Sequence, residues 1–369
     1  MNFLHINKNI KDTKIVVAMS GGVDSSTVAA MLHEQGYQVI GVTLQLYDLG
    51  VTLEKKGACC AGQDIYDAKT VADKLNIPHY VLNYESIFKQ SVIEDFADSY
   101  LRGETPIPCV RCNQSVKFKD LFKVAKDLGA DALVTGHYVR KINKPTGFEL
   151  HRAVDQNKDQ SYFLFATTKE QLEYIDFPLG VYKKDEIRNL ATKYGLKVAD
   201  KPDSQDICFV AGGSYSNIIE KIRPGALDEG EIINIEGKIL GKHKGIINYT
   251  IGQRRGLNIS SSEPLYVVKI NATKNQIVVG SEQDLYNSNF LIKDINWLAN
   301  EEIPEEGITA HVKLRSAHKP VKATIYKFSS DYRRVLLDIP EKAITPGQAC
   351  VVYDEERVLG GGWITEIIN

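Results

Sequence analysis

The segment Ile15-Val16-Val17-Ala18-Met19-Ser20-Gly21-Gly22-Val23-Asp24-Ser25-Ser26 constrains the fold of this chain more than any other. An apolar run of strand length ends at two glycines, and a helical pattern from residue 23 to about residue 35 begins directly after them. Glycine lets a backbone curl tightly between a strand and a helix. The helix start then turns free N–H groups and the positive end of its dipole toward an anion, with serine hydroxyls beside it. A nucleotide polyphosphate fits such a turn. The Lys-Ser/Thr ending of the Walker loop and the three-glycine spacing of the dinucleotide fingerprint are both missing, so neither of those signatures applies.

The first half of the chain repeats this rhythm, with strands expected near residues 15–19, 39–43, 80–82 and 132–135 and amphipathic helices between them. Ile65, Ala68, Val71, Ala72 and Leu75 recur on one helix face, and Pro78 follows as a stop. Alternation of this kind implies an α/β fold with a doubly wound parallel sheet. Ligands of such sheets lie at the carboxyl ends of strands, where both the Ser20 loop and Thr135-Gly136-His137-Tyr138 fall. Two long connections, residues 44–62 and 103–117, are expected as functional loops beside the crevice. Beyond Phe209 short apolar runs punctuated by glycine take over, with a little helix near residues 215–221. The expected domains are 1–210, a nucleotide-binding α/β unit; 211–281, a small β-rich unit; and 282–369, whose alternating runs suit a β-barrel.

A chain of 369 residues accommodates these three domains, and its formal net charge of −2 argues against coating nucleic acid by bulk electrostatics. A local basic face is still available in Lys238, Lys242, His243, Lys244, Arg254 and Arg255. The first fourteen residues mix polar and isolated apolar side chains and read as neither signal peptide nor membrane helix, so a cytoplasmic protein without membrane contact is expected.

Six cysteines fall as Cys59-Cys60, Cys109-x-x-Cys112, Cys208 and Cys350, too sparse for a disulfide framework in a cytosolic chain. Cys109 and Cys112 follow two prolines and lie near an arginine and an expected helix start, surroundings that lower a thiol pKa and make Cys112 a candidate nucleophile. A second C-x-x-C or H-x-x-x-H is missing, so no zinc site is expected. Cys208 follows the turn-rich acidic stretch Lys201-Pro202-Asp203-Ser204-Gln205-Asp206-Ile207. It reads either as an inert core thiol or as a sulfur-carrying partner of Cys112. Cys59-Cys60 and Cys350 are read as structural.

The Ser20–Ser26 loop resembles the pyrophosphate loop of the ATP pyrophosphatases, which split ATP to AMP and pyrophosphate and use the AMP to activate a substrate oxygen. Nearly the whole chain resembles one branch of them, the tRNA 2-thiouridylases. The marks are Ser20-Gly21-Gly22-Val23-Asp24-Ser25, Cys112-Asn113 with Lys117-Phe118, Thr135-Gly136-His137-Tyr138, Lys158-Asp159-Gln160-Ser161-Tyr162-Phe163, Ser204-Gln205-Asp206-Ile207-Cys208-Phe209 and Tyr249-Thr250-Ile251-Gly252-Gln253-Arg254-Arg255-Gly256-Leu257.

That resemblance implies ATP-dependent replacement of the C2 oxygen of a wobble uridine by sulfur, in tRNAs for Lys, Glu and Gln. Ala18, Met19, Ser20, Gly21, Gly22, Val23, Asp24 and Ser25, with Leu44 and Gly136, would hold ATP, and Asp24 would help to organise Mg2+. Cys208 would carry a persulfide and Cys112 would attack it or the base. His137, Lys158, Asp159, Gln160, Arg315, Ser316 and Gln348 would contact tRNA, and a cysteine desulfurase or relay protein would donate sulfur.

The chain departs from the family at two places. Ser316 stands where some members carry an aromatic residue, which removes a stacking platform. Cys109 stands where some carry an aspartate, so Cys109, Cys112 and Cys208 form a second candidate set, the ligands of an iron–sulfur cluster with one open iron. Other readings are a different pyrophosphate-loop enzyme, such as an argininosuccinate, NAD or GMP synthetase, which needs neither thiol, and a noncatalytic RNA-binding protein, which leaves the phosphate loop unexplained.

Overall fold

The computed structural model describes Leu4 and residues 6–47, 60–203, 207–210 and 214–368, the side chains of Cys60 and Ala61 apart. Cys59 and the Ser204-Gln205-Asp206 part of the Cys208 motif therefore lie outside the described residues. The chain divides into two compact units, one of Met1–Val92, Cys109–Phe209 and Glu356–Val358, the other of Ile93–Pro108, Val210–Glu355 and Leu359–Asn369.

In the first unit β-branched runs form the expected sheet. β1 (Lys14–Ala18) leads through the glycine turn into α1 (Val23–Glu34), then β2 (Gln38–Gln45), α2 (Cys60–Leu75) and β3 (His79–Asn83). β4 (Ala132–Val134) follows, then an antiparallel hairpin of β5 (Val139–Lys144) and β6 (Gly147–Arg152), and finally β7 (Ile175–Asp176). The sheet order is β3-β2-β1-β4-β7, all parallel. From β1 the chain therefore winds outward to β3 and then returns to the other side of β1. This reversal opens a crevice at the carboxyl ends of β1 and β4, the place where doubly wound sheets bind ligands. α1 is buried from Ser25 to Leu32, and with Ile15, Val17, Val39, Ala68, Val71 and Val134 it makes the core that holds this crevice rigid.

The expected functional loops are shorter than their sequence suggests. The strand after Val39 runs on to Gln45, and α2 starts at Cys60 rather than near Gln63. In the second connection Pro108 opens a helix, Pro108–Cys112, that continues as a wide π-turn, Asn113–Lys117. Proline is favoured at a first helical position because its missing N–H is unpaired there anyway.

The second unit is mostly β. A four-stranded sheet of order β10-β11-β8-β9 uses β8 (Glu229–Asn234), β9 (Ile239–Lys244), β10 (Tyr266–Asn271) and β11 (Gln276–Gly280), with β11 and β8 parallel. β12 (Tyr286–Trp297), β13 (Ile308–Lys313), β14 (Val321–Lys327), β15 (Tyr332–Lys342), β16 (Ala349–Asp354) and β17 (Arg357–Ile367) then form a barrel that β12 and β17 close. Closure removes the exposed edges an open sheet would leave. Phe290, Val312, Ile325, Val335, Cys350 and Val352 are among its filling. Cys350 is thus a core thiol, and burial pushes its pKa up.

Candidate functional site

The turn after β1 has the features of an anion cradle. Gly21 has φ +74°, a conformation that a side chain disfavours, and a Cβ there would collide with the backbone carbonyl of Asp64. Gly22 caps α1 without any side-chain hydrogen bond, which leaves the first-turn N–H groups available. The Ser20 N–H donates to Ser25 Oγ at 3.1 Å and the two hydroxyls stand 3.3 Å apart, so both serines face one point. Gly136, just past β4, comes so close to α1 that a Cβ on it would lie 2.9 Å from the Ser25 nitrogen. The two strand ends of the crevice therefore meet at this turn.

An ionic frame that sequence reasoning missed supports the turn. Lys184, from the helix Lys184–Lys193, is buried, and its ammonium lies 2.8 Å from each Asp24 oxygen and 2.8 Å from Asp203 Oδ1. Tyr138 donates its hydroxyl to Asp24 Oδ1 at 2.7 Å. Asp203 also meets Lys158 at 2.8 Å and Arg188 at 3.3 Å. Burial alone would raise the Asp203 pKa, but the Lys158 and Lys184 ammonium groups outweigh it and pull the carboxyl down to about 2. The carboxylate expected to organise magnesium is thus neutralised by an ammonium, the chemistry of an ion pair rather than of an open cation site. Nothing in the run Lys183-Lys184-Asp185-Glu186 signals that one lysine points inward.

The residues expected to contact tRNA differ in their engagement. Asp159 accepts from Arg152 Nε at 3.1 Å, from Ala153 N–H at 3.2 Å and from Ser161 Oγ at 2.9 Å, and Gln160 Oε1 accepts from Tyr138 N–H at 2.8 Å. These side chains fasten their own loop. His137 is half-buried, with Phe118 and Phe177 edge-on to its ring and Thr135 Oγ1 2.9 Å from Nδ1. Burial, helped by the Lys117 charge, lowers its pKa to about 3, so the imidazole is neutral at pH 7. In the second unit Arg315 and Ser316 are exposed, Arg315 donating to the Lys342 carbonyl at 2.6 Å, and Gln348 Nε2 donates to the Thr105 carbonyl at 2.8 Å. Of the expected basic face, Lys238, Lys242, Lys244, Arg254 and Arg255 are exposed. His243 is not part of it, because strand alternation turns it inward, where its Nε2 lies 3.0 Å from the Asn275 carbonyl oxygen.

Cys109, Cys112 and Cys208 lie within electrostatic reach of one another and of Lys117. Cys109 and Cys208 are exposed, Cys112 is buried, and all three are free thiols. Cys208 is placed by its neighbour Phe209, whose buried ring packs on Phe88 at 5.9 Å, and Phe88 in turn on Tyr47 at 6.0 Å. The expected lowering of the Cys109 and Cys112 pKa values is not found. Burial pushes both thiols up, and Lys117 offsets this only in part. Although Cys208 has an exposed edge, its sulfur sits in a crowded surround. Desolvation, then the charges of Cys112 and Cys109, push it up to about 11 against the opposing effect of Lys117 and a hydrogen bond from Tyr47. Among the described residues no three Cys, His, Asp or Glu side chains converge as metal ligands, so the thiols as placed do not fit an iron–sulfur cluster. Among the same residues no helix is long and apolar enough to cross a membrane.

Comparison with known proteins gives this site its context. Residues 13–212 match the family described as the tRNA methyl transferase HUP domain, residues 216–281 the tRNA methyl transferase PRC-barrel domain and residues 287–364 the aminomethyltransferase beta-barrel domain. A protein of Rickettsia canadensis named tRNA-specific 2-thiouridylase MnmA is 64% identical over 363 residues, 98% of this chain and 99% of the relative. Its namesake in Rickettsia felis is 64% identical over 364 residues, 99% of this chain and 100% of the relative. Among solved structures, a 4-thiouridine synthetase–RNA complex with bound ATP covers 57% of this chain and 49% of its own at 19% identity and a TM-score of 0.36. On the strength of its full-length relatives, the chain belongs to the tRNA-specific 2-thiouridylase MnmA family.

Proposed function

We propose that this enzyme thiolates C2 of the wobble uridine in tRNAs for Lys, Glu and Gln, splitting ATP to AMP and pyrophosphate. The observation that carries the reading is the presence, in one compact unit, of an uncapped glycine cradle at the sheet's switch point and of a cluster of free thiols. ATP lies against residues Ala18 to Ser25, with Leu44 and Gly136 beside it, and Mg2+ arrives on its phosphates.

The uridine C2 oxygen attacks the α-phosphorus and pyrophosphate leaves, which turns a poor leaving group into AMP. Cys208 holds the incoming sulfur as a persulfide, supplied by a cysteine desulfurase or relay protein. The Cys112 thiolate attacks Cys208 Sγ, forming a disulfide and releasing hydrosulfide. Hydrosulfide adds to C2 and AMP departs with the former carbonyl oxygen. An external dithiol then reduces the disulfide. This route requires the two Cα atoms to come within about 7 Å.

His137, as a neutral imidazole, Lys158, Asp159 and Gln160 line the tRNA path, the last two by shaping their loop, and Arg315, Ser316 and Gln348 extend it. In this reading residues 1–210 carry the chemistry, while 211–281 and 282–369 hold tRNA. The test is incubation with tRNA, ATP, Mg2+ and a persulfide donor, followed by nucleoside mass analysis. The expected product is 2-thiouridine, and its absence would refute the assignment.

A further inference from the structure

We infer that Lys201 is a positioning residue for the phosphate loop, holding the Gly21 carbonyl so that the Gly22 N–H is aimed at the anion. This rests on the proposed use of ATP. The Lys201 ammonium lies 3.0 Å from Gly21 O, 2.7 Å from Asp64 Oδ1 and 2.5 Å from Asp67 Oδ2. An ammonium has three N–H donors, and these three acceptors use all of them. Lys201 therefore has no donor left for a phosphate and acts through the backbone it holds.

Peptide planarity does the rest. The protein has no cis peptide among its described residues, and in a trans unit the carbonyl and the following N–H point in opposite directions. Fixing Gly21 O toward Lys201 therefore turns the Gly22 N–H away from it. Among the described residues that N–H has no acceptor, as a donor kept for a ligand should. A loop of two glycines would otherwise be free to flip this peptide, since glycine adopts both signs of φ.

The lysine itself is held on several sides. Asp64 and Asp67 are three residues apart on one face of α2, and the Asp64 carbonyl presses on Gly21 so closely that no side chain fits there. The Lys201 backbone N–H donates to the Val198 carbonyl at 3.1 Å, and its carbonyl accepts from Arg188 Nη2 at 3.1 Å. Burial by itself would lower the Lys201 pKa, but the two carboxylates outweigh it and raise it, so the clamp stays charged.

The test is binding of α,β-methylene-ATP, an analogue that cannot be split at the α-phosphate, to wild type and to Lys201→Met, Lys201→Arg and Asp67→Asn, alongside steady-state kinetics. Lys201→Met should weaken analogue binding and raise the ATP KM about tenfold, roughly 1.4 kcal/mol. It should leave the tRNA KM unchanged and kcat at saturating ATP within about twofold. Lys201→Arg, which keeps charge and donors, should recover most of the loss. Should Lys201→Met fold poorly, Asp67→Asn still reports, with a smaller shift of the same sign. Unchanged analogue affinity in the folded variants would overturn this inference alone, as would equal losses for ATP and tRNA without rescue by arginine. A wild-type protein that binds no analogue would overturn both it and the use of ATP.

Discussion

Lys184→Met removes the cation at the centre of the frame, and the structure sets the size of the effect. The lysine side chain is only 9% exposed and faces two carboxylates. Removing one partner of a buried ion pair costs about 3–5 kcal/mol, because the remaining charge is left without compensation. Asp203 would keep Lys158 and Arg188, so most of its charge stays balanced. Asp24 would keep only the Tyr138 hydroxyl among the partners described. The expected loss is therefore near the lower bound, about 3 kcal/mol.

A second effect follows from position. Asp24 is in the first turn of α1, beside the phosphate cradle, and its unbalanced charge would repel ATP by roughly 1–2 kcal/mol at an effective dielectric between those of protein and water. Binding of α,β-methylene-ATP should thus fall by about tenfold or more. Asp24→Asn combined with Lys184→Met removes both charges. It should recover more than half of the stability lost in the single lysine variant, a coupling that only contacting residues show. Chemical denaturation read by circular dichroism of the helices, most of which lie in the first unit, and calorimetric titration of the analogue measure the two effects. A Lys184→Met protein within about 0.5 kcal/mol of wild type, or a double variant no better than the single one, would refute the ionic frame.

Two further perturbations probe the crevice from other sides. With its thiol pushed up to about 11, Cys208 should react with iodoacetamide at a rate that climbs about tenfold per pH unit from pH 7 toward pH 10, as site-resolved mass spectrometry would show; a plateau below pH 9 would contradict the crowded surround. Gly136→Ala puts a methyl group 2.9 Å from the Ser25 nitrogen and 3.2 Å from Asp24 Cβ, so α1 must shift; analogue affinity should drop at least tenfold while tRNA affinity holds, and an alanine variant with full ATP affinity would disprove the close approach.

The strands of the first unit are legible because β-branched runs between glycine and proline punctuation leave few alternatives. The ionic frame is not legible, since Lys184 meets Asp24 across 160 residues and Lys201 meets Gly21 across 180. No local pattern carries such distances, and a lysine beside an acidic helix start reads equally well as a solvated cap. His243 was open to better reading. Lys242 and Lys244 alternate with it on β9, and two exposed lysines on one strand face already imply an inward residue between them. The thiol pKa values escape the sequence for a different reason. An arginine, a helix start and two prolines are visible in the sequence, but the depth at which Cys112 is buried is set by the rest of the unit. Desolvation by that depth exceeds the help from Lys117.

The raised Cys208 pKa bears on how sulfur leaves it in the proposed reaction. A persulfide offers an attacking thiolate two sulfurs, and in exchange chemistry the group with the lower pKa leaves faster. Attack on the outer sulfur would expel the Cys208 thiolate, whose parent thiol stands at about 11 in this surround. Attack on Sγ expels hydrosulfide, a weaker base, and forms the Cys112–Cys208 disulfide. The crowding that makes Cys208 a poor nucleophile therefore also makes it a poor leaving group, and it steers Cys112 toward releasing free hydrosulfide instead of taking the sulfur itself. Lys117 opposes the upward shift at all three thiols, so it moderates this preference without reversing it.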